Sequence, residues 1–295
     1  MPEKSTRRDF LKAAGLALGC ALAAPISAQA LPSEGADPNN YVGMLYDATI
    51  CIGCNACTTA CRAWNKTIPE TDARELYDAP RDLSANTWTL IQLYKESDQE
   101  YSFVKRQCMH CVDPACVSGC PVSALQKSET GAVTYDPDRC IGCRYCMYTC
   151  PFHVPRFQWD QAQMPIIAKC TLCNDRLTQG IGGPHCAEKC PTGALTWGKR
   201  GDLLAEAQSR LDAEPGRYVS RIYGKDDVGG TGVMYLSGVE FEKLGLKDMG
   251  TDPIPQLSED TANVIVPTAL IGGAIGLAAV RFASNRNAWE ETWPV

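Results

Sequence analysis

Twelve residues constrain this chain more than any others: Cys140-Ile141-Gly142-Cys143-Arg144-Tyr145-Cys146-Met147-Tyr148-Thr149-Cys150-Pro151. Their spacing is C-x2-C-x2-C-x3-C-P, the run with which thiolates hold iron and sulfide. Three thiolates two residues apart can turn inward on one tight loop and take three corners of a cubane. The fourth, three residues on, points to a neighbouring cluster. One such run therefore predicts a second.

Three further quartets are present. Cys51, Cys54, Cys57 and Cys61 repeat the spacing without the closing proline, because Arg62 follows. Cys108, Cys111, Cys116 and Cys120 have a longer middle gap and end in Pro121; Cys170, Cys173, Cys186 and Cys190 have a longer gap still and end in Pro191. Of 17 cysteines, only Cys20 falls outside a quartet. The direct expectation is four 4Fe-4S clusters, with all sixteen cysteines as iron ligands and no catalytic residues. A disulfide framework belongs to short secreted chains, and 295 residues do not need one. A tetrahedral zinc site takes two C-x2-C pairs and leaves a third cysteine two residues on without a place. No C-x-x-C is followed by His, so covalent haem has no support.

The spacing between quartets suggests how they pair. Pro121-Val122-Ser123-Ala124-Leu125 and a short strand at 130–135 are all that separates the second quartet from the third. So short a connection suits a compact two-cluster unit in which these quartets exchange their fourth cysteines, leaving the first and fourth quartets for each other. Pro191-Thr192-Gly193-Ala194-Leu195 repeats the turn after Cys190, as an internal duplication would. The expected fold class is α+β and loop-rich: two interleaved ferredoxin-like two-cluster units with one C-terminal transmembrane helix. The outer unit takes 31–99 and 158–215 (quartets one and four), and the inserted unit takes 100–157 (quartets two and three). An extension at 216–260 follows.

The first thirty residues read as an address. Ser5-Thr6-Arg7-Arg8-Asp9-Phe10-Leu11-Lys12 is a twin-arginine signal, followed by an apolar run at 13–24 and a small-residue cleavage site at Ala28-Gln29-Ala30. Cleavage there removes Cys20. An oxidising periplasm would convert free thiols to disulfides. The twin-arginine route carries folded proteins, so clusters built in the cytoplasm can cross in place. At the other end, 261–280 is twenty residues without a charge, long enough as a helix to span hydrocarbon. Arg281 and Arg286 after it would place the C-terminal tail, 281–295, in the cytoplasm, and Gly272 and Gly276 form a G-x-x-x-G face.

Elsewhere the pattern predicts a strand at 41–46, a surface loop at 65–84, and a hairpin from 88–94 and 101–107. It also predicts a helix capped by Asp202 with a stripe of Leu203, Leu204, Ala207 and Leu211, and a strand at 233–236. Gly229-Gly230-Thr231-Gly232 lacks the third glycine and the following helix of a dinucleotide fingerprint and reads as a turn. Lys105, Arg106, Arg139, Arg144 and Lys169 flank the cysteines and could raise cluster potentials, although such residues are more often solvated surface charge. His110, His153 and His185 form no recognisable ligand set. With a net charge of −6 and no basic run, nucleic acid is not an expected partner.

The four quartets, in this order and with these gaps, resemble the four-cluster electron-transfer subunits of respiratory complexes such as formate dehydrogenase and dimethyl sulfoxide reductase, over residues 44 to about 235. Gly43-Met44-Leu45-Tyr46-Asp47, Gln107-Cys108-Met109-His110-Cys111-Val112-Asp113-Pro114 and Cys120-Pro121-Val122-Ser123-Ala124-Leu125 are similar to the HybA-type subunits of periplasmic membrane-bound nickel-iron hydrogenase 2. The resemblance implies four ligand sets: Cys51, Cys54, Cys57 with Cys190; Cys170, Cys173, Cys186 with Cys61; Cys108, Cys111, Cys116 with Cys150; and Cys140, Cys143, Cys146 with Cys120. It implies an electron wire from the small subunit of a hydrogenase, itself bound to a large subunit, to an integral membrane subunit that handles quinone. The equivalent wire of a formate dehydrogenase or molybdopterin-type reductase is the alternative. The implied location is the periplasmic side of the cytoplasmic membrane, anchored through the C-terminal helix. No nickel-binding pair, flavin signature or molybdopterin domain is visible, so the expected role is electron transfer without bond chemistry.

Overall fold

In the computed structural model the described residues are 37–70, 82–97, 99–159, 166–255 and 266–291. Two units divide the chain, Met1–Leu31 and Pro32–Val295, and the described residues all belong to the second. The signal sequence expected at 1–30 lies outside them, as does 71–81 of the expected surface loop.

A three-stranded sheet stands at the centre. Strand β1 (Val42–Asp47) runs along its middle. Helix α1 (Ala56–Asn65) carries the end of the first quartet, and β2 (Leu90–Lys95) and β3 (Tyr101–Arg106) form the expected hairpin. Helix α2 (Ala115–Ser118), the paired strands β4 (Leu125–Lys127) and β5 (Val133–Tyr135), and helix α3 (Tyr145–Thr149) carry the second and third quartets. The two-residue strands β6 (Arg156–Phe157) and β7 (Ile167–Ala168) pair before the fourth quartet, which is held on α4 (Asn174–Thr178) and α5 (His185–Glu188). Strand β8 (Leu195–Lys199), helix α6 (Arg200–Ala213), strand β9 (Val233–Leu236) and helix α7 (Val266–Glu291) complete the order.

Strand β8 pairs antiparallel with β1, Tyr46 opposite Leu195, while β9 pairs parallel with it, Met44 opposite Val233. Strands β1 and β9 are buried on both faces, whereas β8 leaves Trp197 and Lys199 exposed. Alternate side chains of a strand point to opposite faces. Met44, Tyr46, Val233 and Tyr235 therefore enter the main core with Leu172, Leu195 and Phe241, and Leu45, Met234 and Leu236 pack under Leu203 and Ala207 of α6. Gly43 permits the close approach of β1 to β9, since a Cβ there would lie 2.7 Å from the Gly232 carbonyl oxygen.

Two sequence expectations need correction here. Helix α6 starts at Arg200 with Lys199 in the cap position, so Asp202 lies inside the first turn, where a carboxylate still favours the positive helix end. The transmembrane helix expected at 261–280, which also enters the expected fold class, is not found. No helix among the described residues is long and apolar enough to cross a membrane. Helix α7 begins at Val266, and 261–265 lie outside the described residues. Pro267, Thr268 and the glycines at 272, 273 and 276 lower its hydropathy. What the structure presents is one unit of small mixed sheets and short helices built around cysteine loops.

Candidate iron–sulfur sites

Equal spacing gives equal local geometry. In the first and third quartets, Gly53 and Gly142 take φ of 68° and 69°, and Asn55 and Arg144 take left-handed φ of 57° and 65° just before α1 and α3. Those two left-handed residues turn the chain so that the next cysteine starts a helix. In the second and fourth quartets a proline, Pro114 or Pro184, immediately precedes the four-residue helix that presents Cys116 or Cys186. Helix α1 packs on α5 and α2 packs on α3, which brings together quartets far apart in the chain.

The thiols gather in four sets. Cys51 has Cys57 and Cys190 beside it, with Cys54 on the exposed loop between. Cys61 lies beside Cys186 and Cys173, and together with Cys170 these line one closed cavity. Cys111 neighbours Cys108, Cys116 and Cys150, and Cys146 neighbours Cys120, Cys140 and Cys143. Three neighbouring pairs link the sets in succession, each thiol within electrostatic reach of the next: Cys57 and Cys186, Cys170 and Cys108, and Cys116 and Cys146.

Three observations show that the residues suit iron–sulfur clusters. The sixteen described cysteines are all free, nine of them buried. Burial pushes the Cys61 thiol up to about 12, with Cys186 adding to the shift and Lys105 opposing it. Burial likewise takes Cys146 to about 12 and Cys150 and Cys173 to about 11. So many thiolates can be ionised together only around a cationic centre. Second, among the described residues no three Cys, His, Asp or Glu side chains are close enough to share one metal ion. Thiolates on one zinc would stand only about 3.8 Å apart, whereas a cube of iron and sulfide holds its four thiolates around its outside. Third, buried polar atoms next to the cysteines lack partners: Thr58 Oγ1, Arg62 Nε, Gln107 Nε2 and His110 Nε2. Buried donors are rarely left so, and sulfide is an acceptor that would satisfy them. Cluster sulfur is also met by the protein itself. Backbone N–H groups of Ala124, Gly142 and Leu172 donate to Cys120, Cys140 and Cys170 Sγ at 3.2, 3.4 and 3.4 Å, and the Asn65 amide donates to Cys61 Sγ at 3.4 Å. Such hydrogen bonds tune cluster potential.

The flanking basic residues divide. Arg139 pairs with Asp136 at the surface, Arg144 stacks on Phe157 and Trp159, and Arg106 holds the Leu244 and Gly245 carbonyls. Lys105 and Lys169 are buried at 0% and 3% exposure. Lys127, which no sequence pattern marks, is half-buried. Its ammonium donates to the Cys111 carbonyl at 2.5 Å, and burial, opposed by Cys111 and Cys108, brings its pKa down to about 8. His110 is fully buried and accepts from the Val133 N–H at Nδ1, 3.0 Å away, which puts its proton on Nε2. Burial and then the Lys169 and Lys127 charges keep it neutral. His185 leans on Trp64 and Glu188.

Fold and thiol sets together define a 4Fe-4S electron carrier. Residues 99–200 match the 4Fe-4S dicluster domain family. The chain is 37% identical to the Hydrogenase-2 operon protein HybA of Escherichia coli O157:H7, over 90% of this chain and 93% of that one. It is 42% identical to a protein of Nitratidesulfovibrio vulgaris over 85% of this chain and 69% of that one. It is 38% identical to the nitrate-inducible formate dehydrogenase iron-sulfur subunit of Escherichia coli K12 over 70% and 71%. The chain belongs to the HybA-type family of iron–sulfur electron-transfer subunits. It binds 4Fe-4S clusters and passes electrons within a multi-subunit oxidoreductase, whose bond chemistry lies in other chains.

Proposed function

We propose that the chain holds four 4Fe-4S clusters, one in each thiol set, and conducts electrons from a nickel-iron hydrogenase small subunit to a quinone-reactive integral membrane subunit. The succession of the sets, from Cys51 through Cys186, Cys170, Cys108 and Cys116 to Cys146, is the observation that carries this reading. In each set the four thiolates would hold the iron, and the cluster would supply one-electron storage. The chain's own contribution is to space the sets, exclude water from the inner two and donate N–H groups to sulfur. Residues 31–99 with 158–215 form the part facing the hydrogenase, and 100–157 the part facing the membrane subunit. Likeness to the hydrogenase-2 operon protein over nine-tenths of the chain favours a hydrogenase over a formate dehydrogenase as the electron source.

The working location in this reading is the periplasmic face of the cytoplasmic membrane, reached by the twin-arginine signal at 1–30. Changing Arg7 and Arg8 to lysine is predicted to leave cluster-loaded precursor in the cytoplasm, and cell fractionation with iron analysis would check it. Undiminished delivery to the periplasm would refute this route. For the function itself, the affinity-purified complex should contain a nickel-iron subunit, and hydrogen should bleach its iron–sulfur absorbance within the catalytic cycle time. A complex that responds to formate and not to hydrogen would replace this reading with the formate one.

A further inference from the structure

Strand β3 delivers one side chain of a kind that interiors seldom accept. Lys105 is 0% exposed, and no carboxylate among the described residues pairs with it. Its ammonium donates to Thr89 Oγ1, and this is the one acceptor it has among the described residues. An ammonium carries three donors, so two remain for whatever else surrounds it. Thr89 lines the same closed cavity as Cys61, Cys170, Cys173 and Cys186. The thiols close enough for their charge to act on the ammonium are Cys57, Cys186, Cys170 and Cys61. Cys57 belongs to the first set, the other three to the second, so Lys105 stands at the junction between the two.

The rest of the fold holds it there. Lys105 sits opposite Ile91 in the hairpin, its carbonyl accepts from Tyr235 of β9 at 3.0 Å, and the Tyr46 hydroxyl of β1 donates to the Phe103 carbonyl at 2.8 Å. Two buried tyrosines of the central sheet therefore clamp the strand, one at the lysine itself and one two residues before it. Lys169, the other deeply buried lysine, differs in that its ammonium rests on two backbone carbonyls, those of Val133 and Cys170. A buried cation without a carboxylate is stable only beside other negative charge, and what lies within electrostatic reach of Lys105 is sulfur from two sets.

We propose that Lys105 is a positioning residue for electron transfer: its fixed positive charge lies between the first and second clusters and raises the reduction potentials of both, without raising those of the third and fourth. Reduction adds negative charge to each cluster, and a cation between them favours the reduced form of either. It also screens one reduced cluster from the other, so that both can hold an electron during rapid delivery. The burial of the ammonium makes the effect insensitive to salt. This inference rests on the assignment of clusters to the first two thiol sets.

The test is an EPR-monitored redox titration of the purified complex with Lys105→Met, Lys105→Arg and Thr89→Val. In Lys105→Met, two of the cluster potentials are predicted to fall, each one-electron equilibrium shifting about tenfold toward the oxidised form, or ~59 mV. The other two should stay in place, at low and high salt alike. Lys105→Arg keeps the charge and should keep the potentials. Thr89→Val releases the ammonium from its hydroxyl and should lower the same two by a smaller factor. Unchanged potentials in a fully loaded Lys105→Met complex, or an equal fall in all four, would overturn the proposal. If Lys105→Met lost iron while Lys105→Arg kept it, the need for the charge would be supported. Loss of iron in both would overturn the proposal by showing that the lysine serves packing. An iron count on the unaltered complex decides separately whether the underlying cluster assignment holds.

Discussion

Hydrogen-driven quinone reduction by a complex carrying Cys170→Ala is expected to fall roughly 100-fold or more, while reduction of the first cluster by hydrogen persists. Losing groups that merely orient metal ligands already costs about 10–100-fold, and Cys170 is itself a candidate ligand. Its position adds to the effect. Cys170 lies in the closed cavity of the second set and is the residue of that set beside Cys108 of the third. Removing it disturbs the second cluster and the junction to the third together. Stopped-flow spectroscopy under hydrogen should show prompt partial bleaching followed by a stall. Complete bleaching at the normal rate would mean that electrons take a path around the second set. Cys54→Ser offers the contrasting case. Cys54 is exposed at the front of the first set, so its loss should slow every cluster from the start.

The second large effect concerns stability. Stripping iron with a chelator under reducing conditions is expected to abolish cooperative unfolding of the 37–255 region and expose it to proteases. Much of what fills this interior is sulfur: Cys57, Cys186 and Cys190 belong to the main core, and Cys108, Cys150 and Cys170 to a smaller one. Without iron, these sites become voids lined with thiols and with unsatisfied donors such as Gln107 and His110. Natural domains hold only about 5–15 kcal/mol in reserve, and each orphaned buried polar group costs about 1–3 kcal/mol. Ligands gathered from positions as distant as Cys51 and Cys190 do not exist as a site in the unfolded chain, so binding free energy is folding free energy here. Limited proteolysis before and after chelation would show it. An iron-free chain as resistant as the loaded one would mean that the small sheets are sufficient by themselves.

The cysteine quartets were legible in the sequence because their spacing is local: a tight loop needs its glycine and its left-handed residue within a few positions, and Gly53-Cys54-Asn55 and Gly142-Cys143-Arg144 display both. The hairpin showed for the same reason. The central sheet showed only in part: the strands expected at 41–46 and 233–236 correspond to β1 and β9, but β8 was not expected, and the parallel pairing of β1 with β9 spans nearly 190 residues. The burial of Lys105 was hidden because a lysine near a cysteine is usually solvated; only the hydrogen bonds from Tyr46 and Tyr235 to its strand put it inside. The C-terminal segment misled in the opposite direction. A count of uncharged residues ignores hydropathy, and Pro267, Thr268 and three glycines dilute the apolar side chains of the run.

The account stands most directly on how much iron the chain holds. Protein purified without oxygen and assayed for metals and acid-labile sulfide should contain about sixteen irons and as many sulfides per chain, with low-temperature EPR of the reduced state integrating to about four spins where the clusters do not couple. About eight irons, or a stable preparation carrying zinc in place of iron, would contradict the four-cluster wire.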